Sequence, residues 1–85
     1  MSSFAYLKNL PVDFLKIDGA LVRNIVDDAA DFAMVEAITR VAGVLGLKTI
    51  AEFVETGATL DTLREIGVDY VQGYAIHRPA PPPAR

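Results

Sequence analysis

The sequence predicts an α/β fold of short parallel strands joined by helices, and three observations carry that prediction. First, Leu7-Lys8-Asn9-Leu10-Pro11-Val12-Asp13-Phe14-Leu15-Lys16 is repeated almost position for position by Leu63-Arg64-Glu65-Ile66-Gly67-Val68-Asp69-Tyr70-Val71-Gln72. Each copy runs from a helix-like end through a breaker to Val-Asp, an aromatic, an apolar residue and a long polar side chain. Second, a looser copy, Leu45 to Glu52, lies between them and ends in a carboxylate. Third, the stretches between these apolar runs carry helical spacing and helix caps, which is the alternation of a parallel sheet.

A short helix is expected over Ser2 to Leu10, with Ser2 or Ser3 as N-cap and Phe4, Leu7 and Leu10 on one face. Pro11 ends it, because the residue before a proline is pushed out of the α region. Phe14, Leu15 and Ile17 make the first strand, closed by Gly19. Ala20 to Val26 reads as a helical turn or short helix. Asp27 or Asp28 then caps the main helix, Ala30 to Leu45, with Asp31 in its first turn favouring the dipole. Met34, Ala37, Ile38, Val41 and Leu45 form its expected packing stripe, and Gly46 stops it. The second strand is Lys48 to Phe53. Thr56 caps a helix over Ala58 to Ile66, and Asp69 to Gln72 is the third strand, with Gly73 and Tyr74 turning the chain. His77, the single histidine, is expected in a loop, and Pro79 to Arg85 as an extended proline-rich tail.

Lys16 and Asp18 stand two residues apart, so in a strand they share a face at the end of an otherwise apolar run. An ion pair that merely caps the strand is the ordinary reading. Lys16, Glu52 and Gln72, however, each end a strand. Parallel strands joined by helices bring those C-terminal ends to one rim, where α/β enzymes keep their chemistry. Glu52 is a hard oxygen ligand suited to Mg²⁺ or Mn²⁺. Lys16 can offset charge on a phosphate, and Gln72 can donate and accept a hydrogen bond. Glu55 has a plainer explanation too, as an acidic residue near a helix N-terminus.

Leu15-Lys16-Ile17-Asp18-Gly19, Thr49-Ile50-Ala51-Glu52-Phe53-Val54-Glu55-Thr56 and Val71-Gln72-Gly73-Tyr74 with Arg78-Pro79 resemble, in order and separation, three motifs of the EAL domain. That family comprises bacterial phosphodiesterases that hydrolyse cyclic di-GMP. Ser2 to Leu7 resembles the helix after the family's Asp-Asp-Phe-Gly motif. The resemblance implies the last three β/α units of a TIM-like (β/α)8 barrel, incomplete in this chain. Residues 1–78 would be the C-terminal portion of the domain and 79–85 a tail. It further implies two metal ions activating a water that opens cyclic di-GMP to linear pGpG. By motif, Glu52 resembles a metal ligand or base, Lys16 the lysine contacting the nucleophilic water, and Glu55 an anchor behind them. Asp18 and Gln72 would shape the rim. The Glu-Ala-Leu motif and the family's paired aspartates would lie before Met1, so the chain alone is expected to be inactive. Phe53 stands where many members have glycine. The rival readings are an EAL-like module that only binds cyclic di-GMP, and an α/β interaction module with no nucleotide role.

A complete barrel takes about 250 residues, and this chain has 85. Its hydrophobic content is 52% and its mean hydropathy +0.31, which suits elements that expect further packing partners. Association as a homodimer or through open sheet edges is therefore expected. The net charge of −3 argues against binding DNA or RNA, which calls for a basic face. With no cysteine, thiolate metal sites and disulfides are excluded. No apolar run is long enough to span a membrane, and a cytoplasmic location is expected, with a sensor or GGDEF domain as a possible fusion partner in the parent protein.

Overall fold

The computed structural model describes residues 14–73 and 76–82, with the backbone alone for residues 76–79. The helix expected over Ser2 to Leu10 and the turn at Tyr74 lie outside these residues. Three parallel strands, β1 (Phe14–Ile17), β2 (Lys48–Val54) and β3 (Tyr70–Gly73), pair in sequence order. A fourth, β4 (Ile76–Ala80), returns antiparallel along β3. This strand departs from the sequence reading in two ways. His77 lies in a strand and not in a loop, and the outer edge of β3 is paired and not open. Pro79 fits there because β4 is an edge strand, where a missing N–H leaves no partner stranded.

Each helix begins where the sequence offers a side-chain acceptor. The short α1 (Gly19–Val22) starts at Asp18, whose Oδ1 accepts from the Ala20 N–H at 2.9 Å. The long α2 (Ala29–Leu45) starts at Asp28, whose Oδ1 accepts from Ala30 at 2.9 Å and Asp31 at 3.2 Å. In α3 (Gly57–Ile66) the Thr56 hydroxyl accepts from the Thr59 N–H at 3.1 Å. Satisfying these otherwise orphaned donors fixes the entry of each helix within a residue.

One face of the sheet packs on the helices. Ile17, Ala51, Val54 and Val71 meet Val22, Ile25, Val35, Leu60 and Leu63 in the buried core. For α2 the expected stripe is displaced. Val35 and Ala42 are buried and Ile38 packs against the core, whereas Met34, Val41 and Ala37 face outward. The helix is rich in alanine, valine and methionine on two sides. Val35-Ile38-Ala42 matches the helical period as well as Met34-Ala37-Val41 does, and contact with α1 and the sheet makes the choice.

Candidate active site

At the C-terminal ends of the strands, the Lys16 ammonium lies 3.6 Å from Glu52 Oε1. The pair is unequal, since the lysine side chain is 71% exposed and the glutamate 25%. Two residues back along each strand sits a matching apolar row, Phe14, Ile50 and Tyr70. In register, Lys16 pairs with Ile50 and Ile50 with Tyr70, so the row belongs to one face. Phe14 and Tyr70 meet edge to face at 5.6 Å between ring centroids. An apolar floor with a cation and a carboxylate at its rim follows directly from the period-2 alternation of three strands.

A bulge aims Glu52. Ala51 pairs with Val71 and Val54 with Gly73, so two residues of β2, Glu52 and Phe53, stand against one of β3, Gln72. The extra residue lets Ala51 and Val54, three apart, both enter the core while Glu52 turns to the rim. Phe53 takes the left-handed conformation this needs, at φ 58°. Gly73 completes the arrangement at φ 109°, where a Cβ would stand 2.7 Å from the Val54 backbone N and O. Only glycine permits that approach. Sequence reasoning put Glu52 at the end of the second strand but did not foresee the bulge that turns it.

The remaining predicted residues separate. Asp18 does not pair with Lys16; it caps α1. Glu55 reaches Arg23 at 3.9 Å, both side chains largely exposed. That contact borders a groove of about 330 Å³ lined by Arg23, Val26, Asp27, Thr56 and Thr59 as well as Glu55. Gln72 is at the β3 end opposite the bulge, half-buried. Thus Lys16 and Glu52 are in contact, Gln72 stands opposite the bulge on the neighbouring strand, and Glu55 has a different partner. Among the described residues no three histidine, aspartate or glutamate side chains cluster to hold a metal ion.

One polar group went unassigned in the sequence. Asp69 Oδ2 accepts from the Thr49 N–H at 2.9 Å and the Thr49 hydroxyl at 3.2 Å, and the Asp69 N–H donates to Thr49 Oγ1 at 3.1 Å. This lock joins the starts of β2 and β3. Its signal was the Val-Asp-aromatic step that recurs before the first and third strands.

Parallel strands with a lysine–carboxylate pair at their C-terminal ends define a β/α-type protein with its polar rim where such folds keep their sites. A family model described as the EAL domain matches residues 1–79, and the chain belongs to that family. It is 50% identical over 80 residues to the cyclic di-GMP phosphodiesterase PdeB of Shewanella oneidensis, covering 94% of this chain and 9% of that protein. Against the cyclic di-GMP phosphodiesterase PdeF of Escherichia coli the identity is 40%, over 94% of this chain and 11% of that protein. Among solved structures, an EAL domain protein from Listeria monocytogenes matches with a TM-score of 0.74 and 39% identity, over 94% of this chain and 32% of that one. The PaMucR phosphodiesterase in complex with c-di-GMP matches with a TM-score of 0.76 and 41% identity, over 95% of this chain and 33% of that one. The chain therefore spans about a tenth of these curated relatives and a third of these solved chains.

Proposed function

We propose that this chain is the C-terminal portion of a cyclic di-GMP phosphodiesterase, contributing the last β/α units of its barrel and part of its catalytic rim. The observation that carries the reading is the Lys16–Glu52 pair, 3.6 Å apart on neighbouring strand ends, with each residue inside a family motif. In this reading water attacks a phosphodiester of cyclic di-GMP and linear pGpG is released. Lys16 offsets negative charge that builds on the phosphate, and Glu52 supplies a carboxylate oxygen beside the attacking water. Gln72 orients a substrate or water group from the third strand. Asp18 holds the turn after Lys16 through its cap, and Glu55, tied to Arg23, supports the rim from outside.

Mg²⁺ or Mn²⁺ enters this reading through Glu52 alone. A hard carboxylate oxygen suits either ion, but the described residues do not make a metal site by themselves. The other ligands would come from elsewhere in a complete domain. Association follows from the same picture. The outer edge of β1 has no strand beside it among the described residues, and α2 exposes Met34, Val41 and Val44. We therefore assign the chain a packing partner, either the rest of its domain or a second copy.

The test compares two proteins. A complete EAL domain carrying these 85 residues should convert cyclic di-GMP to pGpG with Mg²⁺ or Mn²⁺, while the 85-residue chain alone should release none. Absence of turnover from the complete domain, folded and metal-loaded, overturns the phosphodiesterase reading. Metal-dependent turnover by the short chain overturns its inactivity.

A further inference from the structure

Phe53 is placed as a residue kept only for packing would not be. It is the non-glycine residue at positive φ among those described, at 58°, and it is 65% exposed. A bulky side chain is strained in that region, and an exposed phenyl ring gains little by burial. What the ring does touch is Gly19. A Cβ built on Gly19 would stand 2.5 Å from Phe53 Cδ2, 3.0 Å from its Cβ and 3.1 Å from its Cγ. The ring thus lies in the space that a side chain at position 19 would need.

The location gives the contact its meaning. Gly19 opens α1, immediately after the Asp18 cap and three residues beyond Lys16. Phe53 follows Glu52 directly. The β1–β2 ladder ends with Ile17 against Ala51, so Glu52 lies past the last paired residue. The Lys16–Glu52 contact, at 3.6 Å and with the lysine 71% exposed, is too weak to hold itself in one geometry. Beyond the ladder, the Phe53 ring on Gly19 ties the two strand exits at the residue next to Glu52, alongside the exposed Arg23–Glu55 pair and the packing of α1 on β2.

We propose that Phe53 is a positioning residue of the rim: seated on Gly19, its ring holds the turn after β1 against the bulge of β2 and so sets the spacing of Lys16 and Glu52. The importance of that spacing rests on the phosphodiesterase reading above; the contact and its effect on geometry do not. Glycine at position 53 would adopt φ 58° without strain but could not reach across. Phenylalanine accepts the strain and gains the tie. This predicts opposite signs for two properties. Phe53→Gly relieves strain, so stability should hold or rise, while the rim loosens.

Three measurements test this. In the 85-residue chain, nuclear Overhauser contacts should join the Phe53 ring to the Gly19 Hα protons, and Lys16 to Glu52; Phe53→Gly should abolish the Lys16–Glu52 contacts, and Phe53→Tyr should keep them. By denaturant unfolding, Gly19→Ala should lower the folding equilibrium constant on the order of tenfold with Phe53 present and far less in the Phe53→Gly background, the non-additivity expected of touching residues. In a complete domain, Phe53→Gly should lower kcat about tenfold with KM little changed, and Phe53→Tyr should restore it. Additive costs in the mutant cycle, or intact Lys16–Glu52 contacts in Phe53→Gly, overturn the positioning role whether or not the domain is active. An unsubstituted domain without turnover sinks the phosphodiesterase reading instead, and leaves the first two measurements to decide the proposal.

Discussion

The two ends of β2 are built on opposite terms. At its start, Thr49 is fully buried and its backbone N–H and hydroxyl are closed onto Asp69 by three hydrogen bonds of 2.9–3.2 Å. At its far end, Glu52 and the exposed Lys16 make one contact of 3.6 Å beside a strained residue and a bulge. A buried polar group must have its partners satisfied or it costs the fold dearly. A half-exposed pair with lone pairs and protons to spare can still take a ligand. The first end is spent on register, and the second is left open to chemistry.

The largest expected effect breaks the open end. In a complete domain, Glu52→Gln and Lys16→Ala should each lower kcat by about 10²-fold or more, as for loss of an electrostatic stabiliser. Stability should move by less than about 1 kcal/mol, because exposed ion pairs contribute little. Kinetics at saturating metal together with thermal unfolding separate the two quantities. Near-parental kcat in either variant would remove that residue from the catalytic rim.

Asp69→Ala breaks the closed end, with the signs reversed. It leaves the buried Thr49 N–H without its acceptor, which costs about 1–3 kcal/mol. Urea unfolding should register that loss as a lower midpoint. In a complete domain kcat should stay near parental at temperatures where the variant is folded. An Asp69→Ala protein as stable as the parent would show that pairing of β2 with β3 alone sets the register.

The contrast also explains which parts were legible in the sequence. Caps at Asp28 and Thr56 and the stop at Gly46 were readable because each is a local arrangement of neighbouring residues. Lys16 and Glu52 could be placed on one rim because strand period and parallel direction fix where strand ends go. The Asp69–Thr49 lock spans 20 residues and needs the register before it can be seen. The bulge was hidden for the same reason, since Phe53 reads as one more β-prone residue until Gly73 and Gly19 are placed around it. Strand β4 was hidden by Pro79 and the prolines that follow the strand, because proline argues against strands in general yet is tolerated at an edge. Glu55 was read by motif as an anchor behind Lys16 and Glu52; its ion pair with Arg23, on the turn after α1, needed the packing of α1 on β2 before it could be seen.

The smallest effect is expected at Val44 on α2, the helix where the sequence reading and the fold differ over which side is inside. Val35 is fully buried and Val44 is 79% exposed, although both are valines on one helix. Val35→Ala removes buried methyl groups and leaves a cavity, so it should cost about 2 kcal/mol. Val44→Lys exchanges one exposed side chain for another with slightly better helix propensity, so stability should change by less than about 0.5 kcal/mol. Equilibrium unfolding at low micromolar concentration measures both. Equal losses at the two sites would mean that the outward stripe of Met34, Val41 and Val44 is buried after all. A loss for Val44→Lys that grows with protein concentration would locate that burial between copies of the chain, because only an intermolecular contact makes stability depend on concentration.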